Sequence, residues 1–143
     1  MAELTIKELA EKMKGIDFSM LSTVKDNGVT SRPMSNNGDV DYDGDAWFFT
    51  YEDSDKVREI QASDWVSTAY QGKSKGKMPG SFISVEGNAE IFTDKAELKK
   101  HWYDGLNQWF PDGLETEGVA MIKVHAKQVR WWDGEEDGEI AVK

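Results

Sequence analysis

Three residues with anion-binding chemistry fall on two adjoining stretches of the chain. Arg32, in Ser31-Arg32-Pro33-Met34, carries a planar guanidinium fork that matches a phosphate. Further on, Phe48-Phe49-Thr50-Tyr51 runs into Glu52-Asp53-Ser54-Asp55-Lys56. Ser54 supplies a hydroxyl and Lys56 a point charge at an expected helix start, where free backbone amides favour an anion. Together these groups make a small phosphate cradle. The same side chains would serve equally as salt-bridge partners and a helix cap, so residue types alone leave both roles open.

Other chemistries find less support. Asp39-Val40-Asp41-Tyr42-Asp43-Gly44 copies the first half of a calcium loop, but Thr50 stands where the closing carboxylate belongs. Its flanks read as strands rather than helices, so a solvated acidic loop is expected and no metal is assigned. Asp133-Gly134-Glu135-Glu136-Asp137-Gly138 stops short in the same way. Gly72-Lys73-Ser74-Lys75-Gly76-Lys77 resembles a phosphate loop only superficially, because its glycine spacing is wrong and no Ser or Thr follows Lys77. His101 and His125 are the only histidines, and neither sits at a metal-ligand spacing. The absence of cysteine excludes disulfides, thiolate nucleophiles and iron–sulfur clusters. No side chain is assigned as a catalytic acid or base.

The charge balance narrows the partners. Lys plus Arg total 17 against 27 Asp plus Glu, a formal net charge of -10. That argues against nucleic acid and anionic membranes, whose binding needs basic surface. One basic pocket on an acidic protein is still compatible with a small phosphate-bearing ligand. The N-terminus lacks the apolar core of a signal peptide, so a cytoplasmic location is expected.

The elements that position these residues read as follows. The 143 residues suit one domain, 1–143. Ile6, Leu9, Ala10 and Met13 share a helical face, giving a helix over 4–15 with Thr5 able to cap it. Phe18 to Val24 and Val29 to Met34 flank Asn27-Gly28, a strong hairpin signal. Further strands are expected over 46–51, 65–70, 81–92 and 119–132. Short helices are expected after Ser54 and after Asp94, the latter with Glu97 as a capping box running through Trp102. The acidic stretch 133–143 is read as a tail. Strands outnumber helices without regular alternation, which gives a mainly β fold, a six-stranded antiparallel barrel with helices outside.

Ser31-Arg32-Pro33-Met34 and Phe49-Thr50 to Ser54-Asp55-Lys56 match, in order and spacing, a pattern known elsewhere. The chain resembles the pyridoxamine 5'-phosphate oxidase-like, FMN-binding split-barrel family, and within it the bacterial general stress protein branch. The resemblance runs from Phe18 to Gly134. It implies a split β-barrel homodimer with FMN at the subunit interface, FAD or a deazaflavin being alternatives. Arg32, Ser54 and Lys56 would hold the phosphate. The backbone of Pro33, Met34, Phe49 and Thr50 would edge the ring, and Trp131 and Trp132 would approach it from the partner subunit. The implied function is a flavin-dependent oxidoreductase or, alternatively, a non-catalytic flavin-binding, storage or sensing module in stress physiology. Departures point away from vitamin B6 phosphate oxidation itself. Asp55 stands where the oxidase has Arg, Asn36-Asn37 where it has Lys, and Gly138-Glu139-Ile140 where it has an Arg-x-His motif.

Overall fold

The computed structural model describes residues 4–74 and 76–142. Lys75 of the basic loop therefore lies outside the described residues. The first helix, α1 (Ile6–Met13), has a complete capping box. Thr5 Oγ1 accepts from the Glu8 N–H at 3.1 Å, and the Glu8 carboxylate accepts from the Thr5 N–H at 3.3 Å. Leu9, Ala10 and Met13 turn inward, as the helical spacing predicts.

The hairpin signal is realised in β1 (Phe18–Lys25) and β2 (Gly28–Ser35), with Lys25 opposite Gly28 across the turn. The chain continues through β3 (Asp45–Tyr51), α2 (Asp55–Ala62), β4 (Trp65–Gln71), β5 (Phe82–Phe92) and α3 (Lys95–His101). Two short 3-10 turns lead into β6 (Val119–Asp133) and β7 (Glu136–Ala141). All strand pairings are antiparallel, in the order β2-β1-β4-β5-β6-β3, with β7 also on β6. The architecture is the expected split barrel, with no helix among the described residues long and apolar enough to cross a membrane.

Two expectations need correction. The sheet has seven strands rather than six, because the acidic stretch after Gly134 folds back as β7. Charge is no obstacle there, since strand side chains alternate faces. Gly138 is buried and Ile140 packs on the core, while Glu139 points out to Arg130 at 3.3 Å. The second correction concerns α3, which ends at His101. Its N-cap Asp94 makes no side-chain cap bond.

β6 is the spine. Its first half pairs with β3, from Asp45 opposite His125 to Tyr51 opposite Val119, and its second half pairs with β7. β3 alternates between two cores. Ala46 and Phe48 join the barrel interior with Leu21, Ile83, Val85 and Trp131. Phe49 joins Leu98, Leu106, Phe110, Val119 and Met121 under α3. A register shift falls between Glu86 and Gly87 on β5. There a Cβ on Gly87 would lie 2.0 Å from the His125 carbonyl oxygen, so only glycine lets β5 and β6 approach so closely.

Candidate functional site: an anion cradle beside two open strand edges

β2 and β3 end the sheet at opposite extremes, each pairing on one side only. The barrel is therefore split between them, and each presents a row of unpaired backbone groups. Pro33 is compatible with this position because an edge strand tolerates a missing N–H. α2 starts four residues after β3 and links the two edges at one end, Glu59 bonding to Thr30 and Arg32 of β2 and Lys56 to Thr50 of β3.

At that end Lys56 and Thr50 meet. Lys56 Nζ donates to Thr50 Oγ1 at 3.0 Å, and the Thr50 hydroxyl donates to Ser54 Oγ at 3.4 Å. Thr50 is only 5% exposed. Ser54 is the N-cap residue of α2, but its side chain makes no cap bond, so its hydroxyl is not spent on the helix. Lys56 has no ion-pair partner among the described residues. Burial, and next the positive charge of Arg32, hold its pKa below the ordinary lysine value. A half-buried ammonium short of counter-charge, beside two hydroxyls and a helix start, is suited to an anion.

Arg32 lines the same groove, of about 360 Å³, with Lys25, Thr30, Asp55, Lys56 and Glu59. Its situation differs. One terminal nitrogen donates to the Leu21 carbonyl at 3.2 Å and Thr23 Oγ1 at 2.8 Å. The other donates to Thr30 Oγ1 at 2.6 Å and Glu59 Oε1 at 3.0 Å. Glu59 also accepts from Thr23 at 2.6 Å and Thr30 at 3.1 Å. These bonds, led by that of Thr23, keep the Glu59 carboxyl below its ordinary range, against the opposing effect of burial. Glu59 is thus a site residue that sequence reasoning missed. Its only signal was its place one helical turn beyond Lys56; its strand partners are distant in sequence.

The remaining expected residues scatter around this centre. Met34 is in the barrel core and Phe49 packs edge-on against Trp102, ring centroids 5.0 Å apart. Both offer the split their backbone rather than their side chains. Trp131 is 1% exposed, with the Lys12 ammonium 5.5 Å from its ring. Trp132 is 44% exposed on the outer sheet face. Pro33 is exposed on that same face, opposite Met20.

Over residues 5–142 the chain matches the family model described as pyridoxamine 5'-phosphate oxidase like. The chain belongs to that family. It is 28% identical over 129 residues to Protein bli-3 of Neurospora crassa, covering 83% of this chain and 60% of that protein's length. The General Stress Protein 26 of Bacillus anthracis superposes with a TM-score of 0.72 at 24% identity, covering 92% of this chain and 98% of the other. The general stress FMN/FAD binding protein of Xanthomonas citri gives 0.74 at 23% identity, covering 96% and 94%. The oxidase-like split barrel is thus shared with proteins described as binding FMN or FAD.

Proposed function

We propose that this oxidase-like protein binds FMN across the split between β2 and β3, its phosphate on Lys56, Thr50, Ser54 and the first turn of α2. The single observation that carries this reading is the Lys56 ammonium, half-buried and short of a counter-ion beside two hydroxyls. Arg32 adds positive charge to the groove while remaining tied to Glu59. The open edges at Pro33-Met34 and Phe49-Thr50 would offer backbone groups to the ring. A bound flavin supplies the redox chemistry, and the residues supply position and electrostatics.

A homodimer completes the site in this reading. Phe18, Met20, Phe82 and Trp132 are exposed on one outer sheet face. The register sets Met20 beside Pro33 and Ala69, and Phe82 beside Trp132. A second copy covering this apolar face would bring Trp132 toward the partner's flavin.

A second reading, holding or sensing flavin without turnover, is favoured by the carboxylates of the groove. Asp55 is paired with Arg58 and Glu59 with Arg32, and both carboxyls are held below their ordinary pKa, which makes them poor proton donors near neutral pH. The general stress names of the relatives carry the proposed physiological setting. The test is titration with FMN, FAD and riboflavin, followed by anaerobic NADH or NADPH. FMN should bind more tightly than riboflavin, in a species that sediments as a dimer. Bleaching by the reductant supports the oxidoreductase, and unchanged colour supports the holder. Equal affinity for FMN and riboflavin would remove the phosphate assignment.

A further inference from the structure

A groove suited to an anion already contains one. Glu59 Oε1 accepts from Thr23 at 2.6 Å, from Arg32 at 3.0 Å and from Thr30 at 3.1 Å. A guanidinium and two hydroxyls converging on one charged oxygen are the donors that a phosphate oxygen would attract. The pair is enclosed, with side-chain exposures of 20% for Arg32 and 11% for Glu59.

The charge balance of the groove shows what this carboxylate does. Lys25, Arg32 and Lys56 line it with positive charge, Asp55 and Glu59 with negative. Asp55 is spent on Arg58, which is not in the lining. Glu59 is the lining carboxylate whose ion-pair partner is itself a cation of the groove. Its charge also reaches Lys56. Burial and the Arg32 charge hold the Lys56 pKa down, and Asp55 and Glu59 pull the other way.

A carboxylate placed here subtracts from what the groove offers an incoming phosphate. It commits Arg32 in advance, and it repels the new negative charge across a partly desolvated space where screening is weak. The shape of the site does not depend on that charge. Glutamine has the same length and keeps an oxygen able to accept from the same three donors.

We propose that Glu59 is an internal counterpart of the ligand's phosphate, which occupies Arg32 and so limits how strongly the groove prefers a phosphorylated flavin over an unphosphorylated one. It is a positioning residue, acting through Arg32, on the reading of the groove as the flavin phosphate site. The phosphate is then met by Lys56, Thr50 and Ser54 with Arg32 already committed. Binding is weaker than two uncommitted cations would give, and the ligand is released more readily.

Glu59→Gln keeps an acceptor and removes the charge. Fluorescence titration of the full chain with FMN and with riboflavin reads the effect. FMN should bind about three- to tenfold more tightly than to the native chain, the size of a lifted charge repulsion across the groove. Riboflavin affinity should not change. The ligand-free variant should unfold at lower urea, because Arg32 loses its counter-charge. Stability falling while FMN affinity rises is a pairing that a merely structural role does not produce.

The double variant Arg32→Met, Glu59→Leu removes both charges and tests the same point without an unpaired cation. It should bind FMN within about threefold of the native chain, since the net charge of the groove is kept. A loss of about tenfold or more would show the Arg32 charge serving the phosphate despite Glu59, and would overturn the inference. So would a Glu59→Gln chain whose FMN affinity is unchanged or lower, or one that gains equally for riboflavin. These results leave the flavin reading standing if the native chain prefers FMN to riboflavin. A native chain without that preference overturns the flavin-phosphate reading and the role of Glu59 with it.

Discussion

Arg32 and Lys56 line one groove, yet the first is enclosed by acceptors and the second touches a single hydroxyl. The Arg32 network ties β1, β2 and α2 together through Thr23, Thr30 and Glu59. A cation satisfied in this way mainly serves the fold. The Lys56 ammonium sits at the junction of β3 and α2, where it forms no ion pair among the described residues and where burial and the Arg32 charge outweigh the attraction of Asp55 and Glu59. Placing it there costs stability, and an arriving phosphate would offset that cost. The contrast teaches that residue type alone does not separate a structural cation from a ligand-binding one. The count of acceptors already around it does.

The largest expected effect breaks the satisfied side. Arg32→Ala leaves the Glu59 carboxylate, 11% exposed, without its counter-ion. Ligand-free stability in urea should fall by about 3 kcal/mol. An Arg32→Met, Glu59→Leu double variant should recover much of that loss, because it removes both charges from a half-buried site. A single variant as stable as the native chain would contradict the structural role.

On the unsatisfied side, Lys56→Met should leave ligand-free stability unchanged or raise it, since a buried charge is removed. FMN affinity should drop on the order of tenfold to a hundredfold, the range of a charge-assisted contact, with riboflavin affected little. Fluorescence titration reads both. Equal losses for the two flavins would merge the two sides of the comparison.

The two groups also separate by the sign of their pH dependence. Glu59 titrates in the fold below its ordinary value of 4.5. Its contribution is complete above 4.5 and is lost as pH falls through the folded value. Lys56 titrates below its ordinary value of 10.5. Its penalty is complete below the folded value and is relieved as pH rises from there toward 10.5. Stability profiles should therefore show a shallower acid limb in Glu59→Gln. The difference between native chain and Lys56→Met should narrow as pH rises on the alkaline side.

The smallest effect compares two helix starts. Thr5→Ala removes a working capping box and should cost about 1 kcal/mol. Ser54→Ala removes a hydroxyl that caps nothing, so thermal stability should stay within about 0.5 kcal/mol while FMN binding weakens severalfold.

Much of the fold was legible because its signals are local. Asn27-Gly28 marks the first hairpin, Thr5 with Glu8 starts α1, and Ser54 sits at the N-cap of α2. Of the expected phosphate residues, Ser54 and Lys56 are two apart in the chain, whereas Arg32 reaches the Lys56 groove only through the fold and is enclosed there by acceptors. What escaped depends on distant partners. Glu59 gains its role only when β1 and β2 lie against α2. β7 was hidden by its charge, because Gly138 and Ile140 carry too faint an alternation among Glu and Asp. Trp131 and Trp132 are neighbours in sequence, yet the strand sends one into the core and the other to the surface.

The close contact at Gly87 has a consequence for the lineage of this chain. Any side chain at that point would push the His125 carbonyl away and shift the frame that aligns β6 with β3. Sequence drift can therefore exchange nearly every loop residue around it and still leave this position fixed. Across distant descendants of the same ancestor, a glycine in the middle of the long fifth strand should persist where the surrounding letters do not, as a marker of common descent written in backbone clearance rather than in chemistry.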